Sequence, residues 1–223
     1  MSLSKMAEVS SPFKYHLMTV DKVSETDVKS IAQLIKSQKD CYLIGVAGIP
    51  GAGKSEFSKQ LLKELEDSVV VPMDGYHIER KDLSEADMLV RGAPHTFHYK
   101  KFRDDLILLK EKKQGKFPSF DHSLKDPVHE DIVVTPEHRY VVVEGLYLYI
   151  EEWGLKDIFD FQVFLNCDLD IAMERLAKRH VLTGIEPDID SGKERVSRSD
   201  KKNAILIIEK SVLSDATLRV KTG

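Results

Sequence analysis

The sequence predicts an α/β protein of three layers, in which helices cover both faces of a parallel central sheet. Apolar, strand-like segments alternate with helical patterns along the chain, which is the order that such a sheet requires. A glycine-rich loop also joins the first predicted strand to the next helix. With 223 residues, 42% of them hydrophobic, the chain is long enough for one such domain and a small insert.

Each element has its own periodicity. Residues 25–37 have the apolar spacing of an amphipathic helix, and the apolar run over 42–46 predicts a buried strand. The other predicted strands cover residues 68–72, 140–145, 161–166 and 217–220, and the other predicted helices cover 56–66, 83–90, 100–113, 169–182 and 194–211. Residues 112–136 are richer in Gly, Pro and polar residues, so we expect a loop with short strands over one end of the sheet.

The loop after the first strand has the sequence form of a phosphate-binding loop. Its residues are Gly48, Ile49, Pro50, Gly51, Ala52, Gly53, Lys54 and Ser55. The glycines allow successive backbone N–H groups to face one anion, Lys54 supplies a positive charge for the β- and γ-phosphates, and the Ser55 hydroxyl can bind Mg²⁺. A glycine-rich turn that only caps a helix is the alternative, but the flanking strand and helix favour a nucleoside triphosphate site.

Two carboxylates follow predicted strands at the edge where this loop lies. Asp74 comes just after the strand 68–72, and Glu144 lies at the end of the strand 140–145. Ligands of open α/β sheets bind beyond the carboxyl ends of the strands, so we expect both side chains near the phosphates, as candidates for Mg²⁺. The alternative is a turn at Asp74 and a helix cap or edge carboxylate at Glu144. The absence of an N-K-x-D motif and of a D-x-x-G switch argues against a Ras-like GTPase.

Composition and charge limit the binding partners and the cellular compartment that the sequence predicts. The net charge of −4 and the pI of about 6.1, with both signs interspersed, indicate no broad basic surface for nucleic acid. Cys41 and Cys167 lack metal-binding or C-x-x-C spacing, so we expect buried free thiols in a reducing compartment. No stretch resembles a membrane span or a secretory signal, and a cytoplasmic protein is expected. Residues 1–5 have the form of an expression remnant before Met6.

Six segments together resemble the uridine kinase, phosphoribulokinase and pantothenate kinase superfamily, and within it the uridine kinase-like branch of fructose-transport-associated kinases. These segments are residues 48–55, 73–77, 91–97, 120–128, 142–147 and 179–204, within a similarity that extends from about 42 to about 211. The chain departs from that branch at Leu146, where a polar Asn is usual, and at Lys201-Lys202, where Leu-Pro is usual. The choice of acceptor and the geometry of the lid are therefore expected to differ.

The resemblance implies an ATP-dependent kinase that phosphorylates a hydroxyl group with the help of Mg²⁺. It implies that Asp74 accepts the proton of the attacking hydroxyl or binds the metal, and that Glu144 supports Mg²⁺. Phosphoryl transfer depends mainly on positioning and on stabilisation of charge, so Lys54, Mg²⁺ and one or two arginines are expected to carry most of the rate.

Arg175 and Arg179 are the candidates for the catalytic cation. They are four positions apart on the predicted helix 169–182, on a different face from its apolar residues. The alternative to a catalytic role is that these arginines form a solvated basic face of the helix. The polar, glycine-containing stretch 180–200 that follows is typical of a hinged lid and favours the catalytic role. The resemblance implies that Asn203 contacts the adenine or supports the lid, and Glu56, next to the loop, completes the predicted nucleotide site.

The acceptor pocket is predicted in the middle of the chain. Its candidate residues combine hydrogen-bonding groups with aromatic walls, as a small polyhydroxylated acceptor requires. They are Tyr76, His77, Arg91, Thr96, Phe97, Asp121, His122 and Tyr147. No pair of histidines has zinc spacing, and Trp153 is expected to pack on the end of the sheet.

We therefore expect a helical N-terminal extension over residues 1–40 and a P-loop kinase domain over 41–223, with an acceptor-binding insert at about 76–136 and a lid at about 179–203. The expected function is transfer of the γ-phosphoryl group of ATP to a nucleoside, sugar or pantothenate-like acceptor, in a protein whose sequence is compatible with a homodimer. A nucleotide-binding regulatory protein or a slow NTPase with a protein partner is the alternative. Asp74 favours the kinase, because a switch protein needs no base for a hydroxyl group.

Overall fold

The computed structural model describes residues 25–213 and 218–222 and contains seven strands and seven α-helices within those ranges. In chain order they are α1 (Glu25–Ser37), β1 (Leu43–Gly48), α2 (Lys54–Glu64), β2 (Ser68–Pro72), α3 (Glu85–Leu89), α4 (Tyr99–Lys112), β3 (Gly115–Asp121), β4 (Asp126–Val134), β5 (Tyr140–Gly145), β6 (Phe161–Cys167), α5 (Leu169–Leu182), α6 (Ile189–Arg195), α7 (Lys201–Lys210) and β7 (Leu218–Thr222). The predicted alternation of strands and helices is confirmed.

Five strands form a parallel central sheet in the order β2-β5-β1-β6-β7, flanked by helices as predicted. Strand β1 is buried along its whole length, which explains its uninterrupted apolar sequence. The register places Glu144 of β5 opposite Val46 of β1 on one side and opposite Pro72 of β2 on the other. The carboxyl ends of these three strands therefore meet at one edge of the sheet.

Strands β3 and β4 form a separate antiparallel hairpin, with a register shift between Phe117 and Ser119. The sequence predicted mainly a loop here, whereas the strands have seven and nine residues. Phe117 and Val134 are the buried hydrophobic residues on these two strands, and one such position on each strand gives little periodic signal in a polar segment. The hairpin packs directly on the turn after β2, because a side chain at Gly75 would collide with the Pro118 carbonyl.

The segment predicted as a lid is mostly helical. Helix α6 begins at Ile189, five residues before the predicted start, and it continues through a π-helical turn (Val196–Asp200) into α7. The Asp188 side chain caps α6 by accepting a hydrogen bond from the Ser191 N–H, a local start signal that apolar periodicity does not detect. Helix α6 packs against α5 through the buried Gly192. The role of this segment as a lid stays a prediction.

The apolar face of α1 belongs to the same core as the sheet, since Val28, Ile31 and Ile35 are all buried there. The domain boundary at residue 40 stays a prediction, and residues 1–24, with the proposed expression remnant, lie outside the described residues, as does Thr217 at the start of the last predicted strand. Both cysteines are buried free thiols, as expected. None of the described helices is long and apolar enough to cross a membrane.

Candidate active site

The glycine-rich loop lies between β1 and α2, at the carboxyl edge of the sheet. Gly51 and Gly53 have φ values of 81° and 89°, in the left-handed region that favours glycine. Gly51 also lies so close to α5 that any side chain would collide with the Ala172 carbonyl. Glycine at these two positions therefore lets the loop place backbone N–H groups around an anion at the start of α2, and at Gly51 no other residue fits.

Lys54 lies over the loop, where its Nζ donates hydrogen bonds to the carbonyls of Gly48 and Ile49 at 3.0 and 3.1 Å. Burial lowers its pKa to about 8, against the opposing effect of the Asp74 and Glu144 carboxylates, and the positive charge of Arg179 lowers it further. The ammonium group therefore holds its proton less firmly than that of an exposed lysine. A bound triphosphate would restore the favourable charge environment.

Ser55 and Glu144 form the second polar contact of the site. The Ser55 hydroxyl donates to Oε1 of Glu144 at 3.1 Å, and Oε2 is buried without a hydrogen-bond partner among the described residues. Burial, followed by the charge of Asp74, raises the pKa of Glu144. An orphaned carboxylate oxygen beside a hydroxyl suits a cation, and Mg²⁺ commonly takes one or two carboxylates with phosphate oxygens. Within the described residues, no group of three or more His, Cys, Asp or Glu could hold a metal alone.

Asp74 lies in a 3₁₀ turn (Met73–Tyr76) that directly follows β2. Its carbonyl accepts hydrogen bonds from the His77 N–H at 3.2 Å and from Nδ1 of His77 at 2.8 Å. Because the carbonyl can only accept, Nδ1 carries the proton and Nε2 of a neutral His77 is left as an acceptor. His77, which directly follows the 3₁₀ turn, therefore fixes the position of Asp74.

A cavity of about 330 Å³ brings these groups together. It is lined by the predicted residues Pro50, Gly51, Gly53, Lys54, Ser55, Glu56, Asp74, Glu144, Arg175, Arg179 and Asn203, and also by Pro72, Gly92, Gly145, Leu146, Leu176 and Asp200. Nucleotide-site and catalytic candidates from distant parts of the chain thus meet at one place, and their chemical roles stay predictions.

The two candidate arginines differ in their contacts. Nη1 of Arg175 lies 3.7 Å from Sγ of Cys167, at the end of β6. Arg179 has no hydrogen bond or ion pair from its side chain among the described residues, and its charge contributes to the lowered pKa of Lys54. Its guanidinium group is therefore available to an anion beside Lys54.

Four predicted acceptor residues are not brought to the cavity. Tyr76, Thr96, Phe97 and Tyr147 are all buried, at 0 to 4% exposure. The Tyr76 hydroxyl donates to Oδ2 of Asp105 at 2.8 Å, and the Tyr147 hydroxyl donates to the Gly92 carbonyl at 2.6 Å. The Thr96 hydroxyl donates to the Ala93 carbonyl and accepts from the Gly92 N–H, while Phe97 packs edge-on against Tyr147. These contacts shape the segment that borders the cavity at Gly92.

Arg91, also predicted to bind the acceptor, has protein partners instead. Its Nη2 donates to Oδ1 of Asp126 at 2.7 Å and to the Ile78 carbonyl at 2.9 Å, and its Nη1 contacts the Lys125 carbonyl. The side chain is 11% exposed. Arg91 therefore ties the segment 91–97 to the β3–β4 hairpin.

The remaining candidates lie on or under that hairpin. Asp121 closes the hairpin turn by accepting hydrogen bonds from Ser123 and Leu124, and His122 is exposed. His77 packs between the rings of Phe97 and Phe120, with ring centroids 4.0 and 5.0 Å away. None of these residues lines the cavity, although His77 fixes the Asp74 turn beside it.

Sequence reasoning overlooked one polar pair at the cavity. Asp200 lines it, and Oδ2 of Asp200 lies 2.8 Å from Nε2 of the buried His180. The two residues are twenty positions apart, so no local pattern relates them. The only available signal was their position in the segment 179–204, which carried the family resemblance.

A strand, glycine-rich loop and helix with Lys54, two strand-end carboxylates and a free arginine in one cavity define a P-loop nucleotide-binding protein. Comparisons with known proteins give the family. The profile of a family described as AAA domain matches residues 44–194. A protein of Schizosaccharomyces pombe provisionally named uridine kinase is 32% identical over 209 residues, which cover 85% of this chain and 88% of that protein.

Two further relatives agree. The ATP-dependent kinase-like protein notR' of Aspergillus versicolor is 36% identical over 150 residues, covering 61% of this chain and 87% of that protein. A crystal structure provisionally named fructose transport system kinase, from Silicibacter sp. TM1040, has a TM-score of 0.75 and 26% identity, over 88% of this chain and 98% of that one. The chain belongs to the uridine kinase-like family of P-loop kinases, as the sequence resemblance indicated.

Proposed function

We propose that this protein is an ATP-dependent kinase that transfers the γ-phosphoryl group to a hydroxyl of a small metabolite. The observation that carries the proposal is the cavity in which Lys54, Asp74 and Arg179 meet. Phosphoryl transfer needs a donor site, a group that receives the proton of the hydroxyl, and positive charge around the transferred group. One residue of the cavity suits each requirement.

On the donor side, the loop would bind the phosphates of ATP through its backbone N–H groups and through Lys54. Ser55 and Glu144 are the residues that would hold Mg²⁺, which neutralises charge on the phosphates when it is bound. Support for this placement comes from the buried, unpaired Oε2 of Glu144 beside the Ser55 hydroxyl.

On the acceptor side, Asp74 would accept the proton of the attacking hydroxyl, because it lines the cavity on a turn that His77 and the hairpin hold in place. Arg179 would stabilise charge on the phosphoryl group in flight, since it has no partner among the described residues and lies near Lys54. The buried residues Tyr76, Phe97 and Tyr147 would support the walls, without touching the acceptor themselves.

A screen for phosphoryl acceptors tests this function. Purified protein with Mg-ATP is offered nucleosides, sugars, polyols, hydroxy acids and pantothenate-like compounds, and ADP release is followed together with the mass of the product. We expect ADP release to depend on one acceptor class and the product to gain one phosphate. ADP release that ignores every acceptor would instead indicate a slow NTPase, the alternative class for this sequence.

A further inference from the structure

A buried histidine holds one of the carboxylates of the cavity. Asp200 lines the cavity, and His180, which is 5% exposed, lies with its Nε2 2.8 Å from Oδ2 of Asp200. Because a carboxylate only accepts hydrogen bonds, Nε2 carries the proton and donates it. Oδ1 of Asp200 has no hydrogen-bond partner among the described residues. One oxygen is thus fixed by the protein and the other is free for a ligand.

This pair connects two parts of the cavity wall. His180 follows Arg179 on α5, and Asp200 is the last residue of the π-helical turn between α6 and α7. Segments of π-helix recur at functional sites, because the extra residue changes the direction in which side chains point. Burying a polar histidine costs free energy, which an ordinary surface carboxylate would not require. A buried histidine that donates a hydrogen bond is suited to a carboxylate that must keep one orientation.

Three positive groups of the described residues line the cavity. They are Lys54, Arg175 and Arg179. Arg91, which the sequence predicts to bind the acceptor, is ion-paired with Asp126 at 2.7 Å. His77 adds no charge at neutral pH, because burial lowers its pKa. Once ATP phosphates engage these cations, the ionisable groups that remain on the described lining of the cavity are the carboxylates Glu56, Asp74, Glu144 and Asp200.

We propose that Asp200, positioned by His180, selects a neutral, polyhydroxylated acceptor and rejects acceptors that carry an acidic group. The inference rests on the proposed function, because it concerns the acceptor of the same transfer. A second hydroxyl of a polyol can donate to Oδ1 of Asp200 while the first lies at Asp74. An acidic acceptor would place a like charge beside two carboxylates with no free cation to compensate it.

Matched pairs of acceptors test the selection directly. Each pair shares its primary hydroxyl and differs in an acidic group: glycerol with D-glycerate, panthenol with pantothenate, and D-ribose with D-ribonate. The kcat/KM of ADP release is measured for the wild type, for Asp200→Asn and for His180→Phe, with Glu194→Gln on α6 as the control. Glu194 is an exposed carboxylate outside the cavity. Asp200→Asn keeps the shape of the side chain, so it decides the question even where His180→Phe fails to fold.

We expect the wild type to prefer the neutral member of a pair by about tenfold or more, and Asp200→Asn to reduce that ratio by about tenfold, mainly through KM. His180→Phe should shift the ratio in the same direction, while Mg-ATP affinity and the control variant stay unchanged. A preference for acids, or a ratio that Asp200→Asn leaves intact, overturns the inference but leaves the kinase standing. A parallel loss of Mg-ATP affinity would assign Asp200 to the nucleotide and overturns it too. No turnover with any acceptor, neutral or acidic, removes the proposed function itself.

Discussion

The phosphate side and the acceptor side of the cavity differ in how far apart in the sequence their contacting residues lie. On the phosphate side, one continuous loop of eight residues carries the backbone N–H groups, Lys54 and Ser55, and Glu144 and Arg179 join it from elsewhere in the chain. On the acceptor side, each wall depends on residues far apart in the chain, such as Arg91 with Asp126 and Tyr147 with Gly92. Under the proposed function, nucleotide binding depends mainly on one continuous segment, and acceptor choice depends on how distant segments pack. Substitutions should therefore separate nucleotide binding from transfer.

The largest effect is expected at the centre of the phosphate side. Lys54→Ala removes the charge on the β- and γ-phosphates, so Mg-ATP affinity should fall by about 10² or more and turnover should become undetectable. Titration calorimetry measures the affinity, and a thermal melt checks that the sheet stays folded. Lys63→Ala, an exposed lysine on the same helix, is the control. An unchanged affinity would remove Lys54 from the nucleotide site.

Arg179→Ala should separate binding from transfer. Loss of a cation that acts on the transferred phosphoryl group lowers kcat by on the order of 10³, while Mg-ATP affinity should stay within a few-fold. Steady-state kinetics with a saturating acceptor measures kcat, and Lys178→Ala on the same helix is the control, since Lys178 pairs with Glu174 at the surface. A kcat within tenfold of wild type would move the catalytic role to another residue, with Arg175 the next to test.

Asp74→Asn probes the acceptor side with a smaller expected loss. Asn keeps the shape of the side chain but cannot take a proton, so kcat should fall by about 10² while ATP binding persists. Asp82→Asn, an exposed carboxylate on the following turn, serves as the control. If kcat is retained, Asp74 is not the general base and a role in metal binding remains to be tested.

The smallest expected effect is a pH dependence of nucleotide binding alone. The pKa of Lys54 is lowered to about 8 by burial, and phosphates bind its protonated form, so Mg-ATP affinity should weaken about tenfold between pH 7 and pH 9. Calorimetry at pH 9 in buffers of different ionisation enthalpy should record proton uptake on binding. The pKa of His77 is lowered, so the acceptor side should not titrate through His77 in this range. A flat affinity over this range would contradict the assignment.

The two sides also differ in what the sequence could predict. The loop, its strand and helix, and the strand-end carboxylates Asp74 and Glu144 follow from local patterns, and all of them lie where the patterns place them. The acceptor candidates are polar or aromatic residues, and such residue types serve equally well in packing. Arg91 has the chemistry of an anion ligand, but only the folded hairpin shows that Asp126 occupies it.

The cap of α6 and the pairing of His180 with Asp200 were beyond sequence reasoning for a related reason. A capping aspartate and a buried histidine resemble ordinary polar residues until their partners are known. The helical start at Ile189 follows from the Asp188 cap, which lies in the polar, glycine-containing stretch that predicts a hinged lid.

The contact between Gly51 and Ala172 has a consequence for the tolerance of the loop to mutation. The phosphate loop and α5 touch backbone to backbone there, so any side chain at position 51 must push α5 away, together with Arg175 and Arg179. Gly53 has open space around it and is restricted only by its φ of 89°. In a deep mutational scan, Gly51 should tolerate no replacement, whereas Gly53 should accept Asn or Asp with partial activity, since these two residues adopt the left-handed conformation most readily.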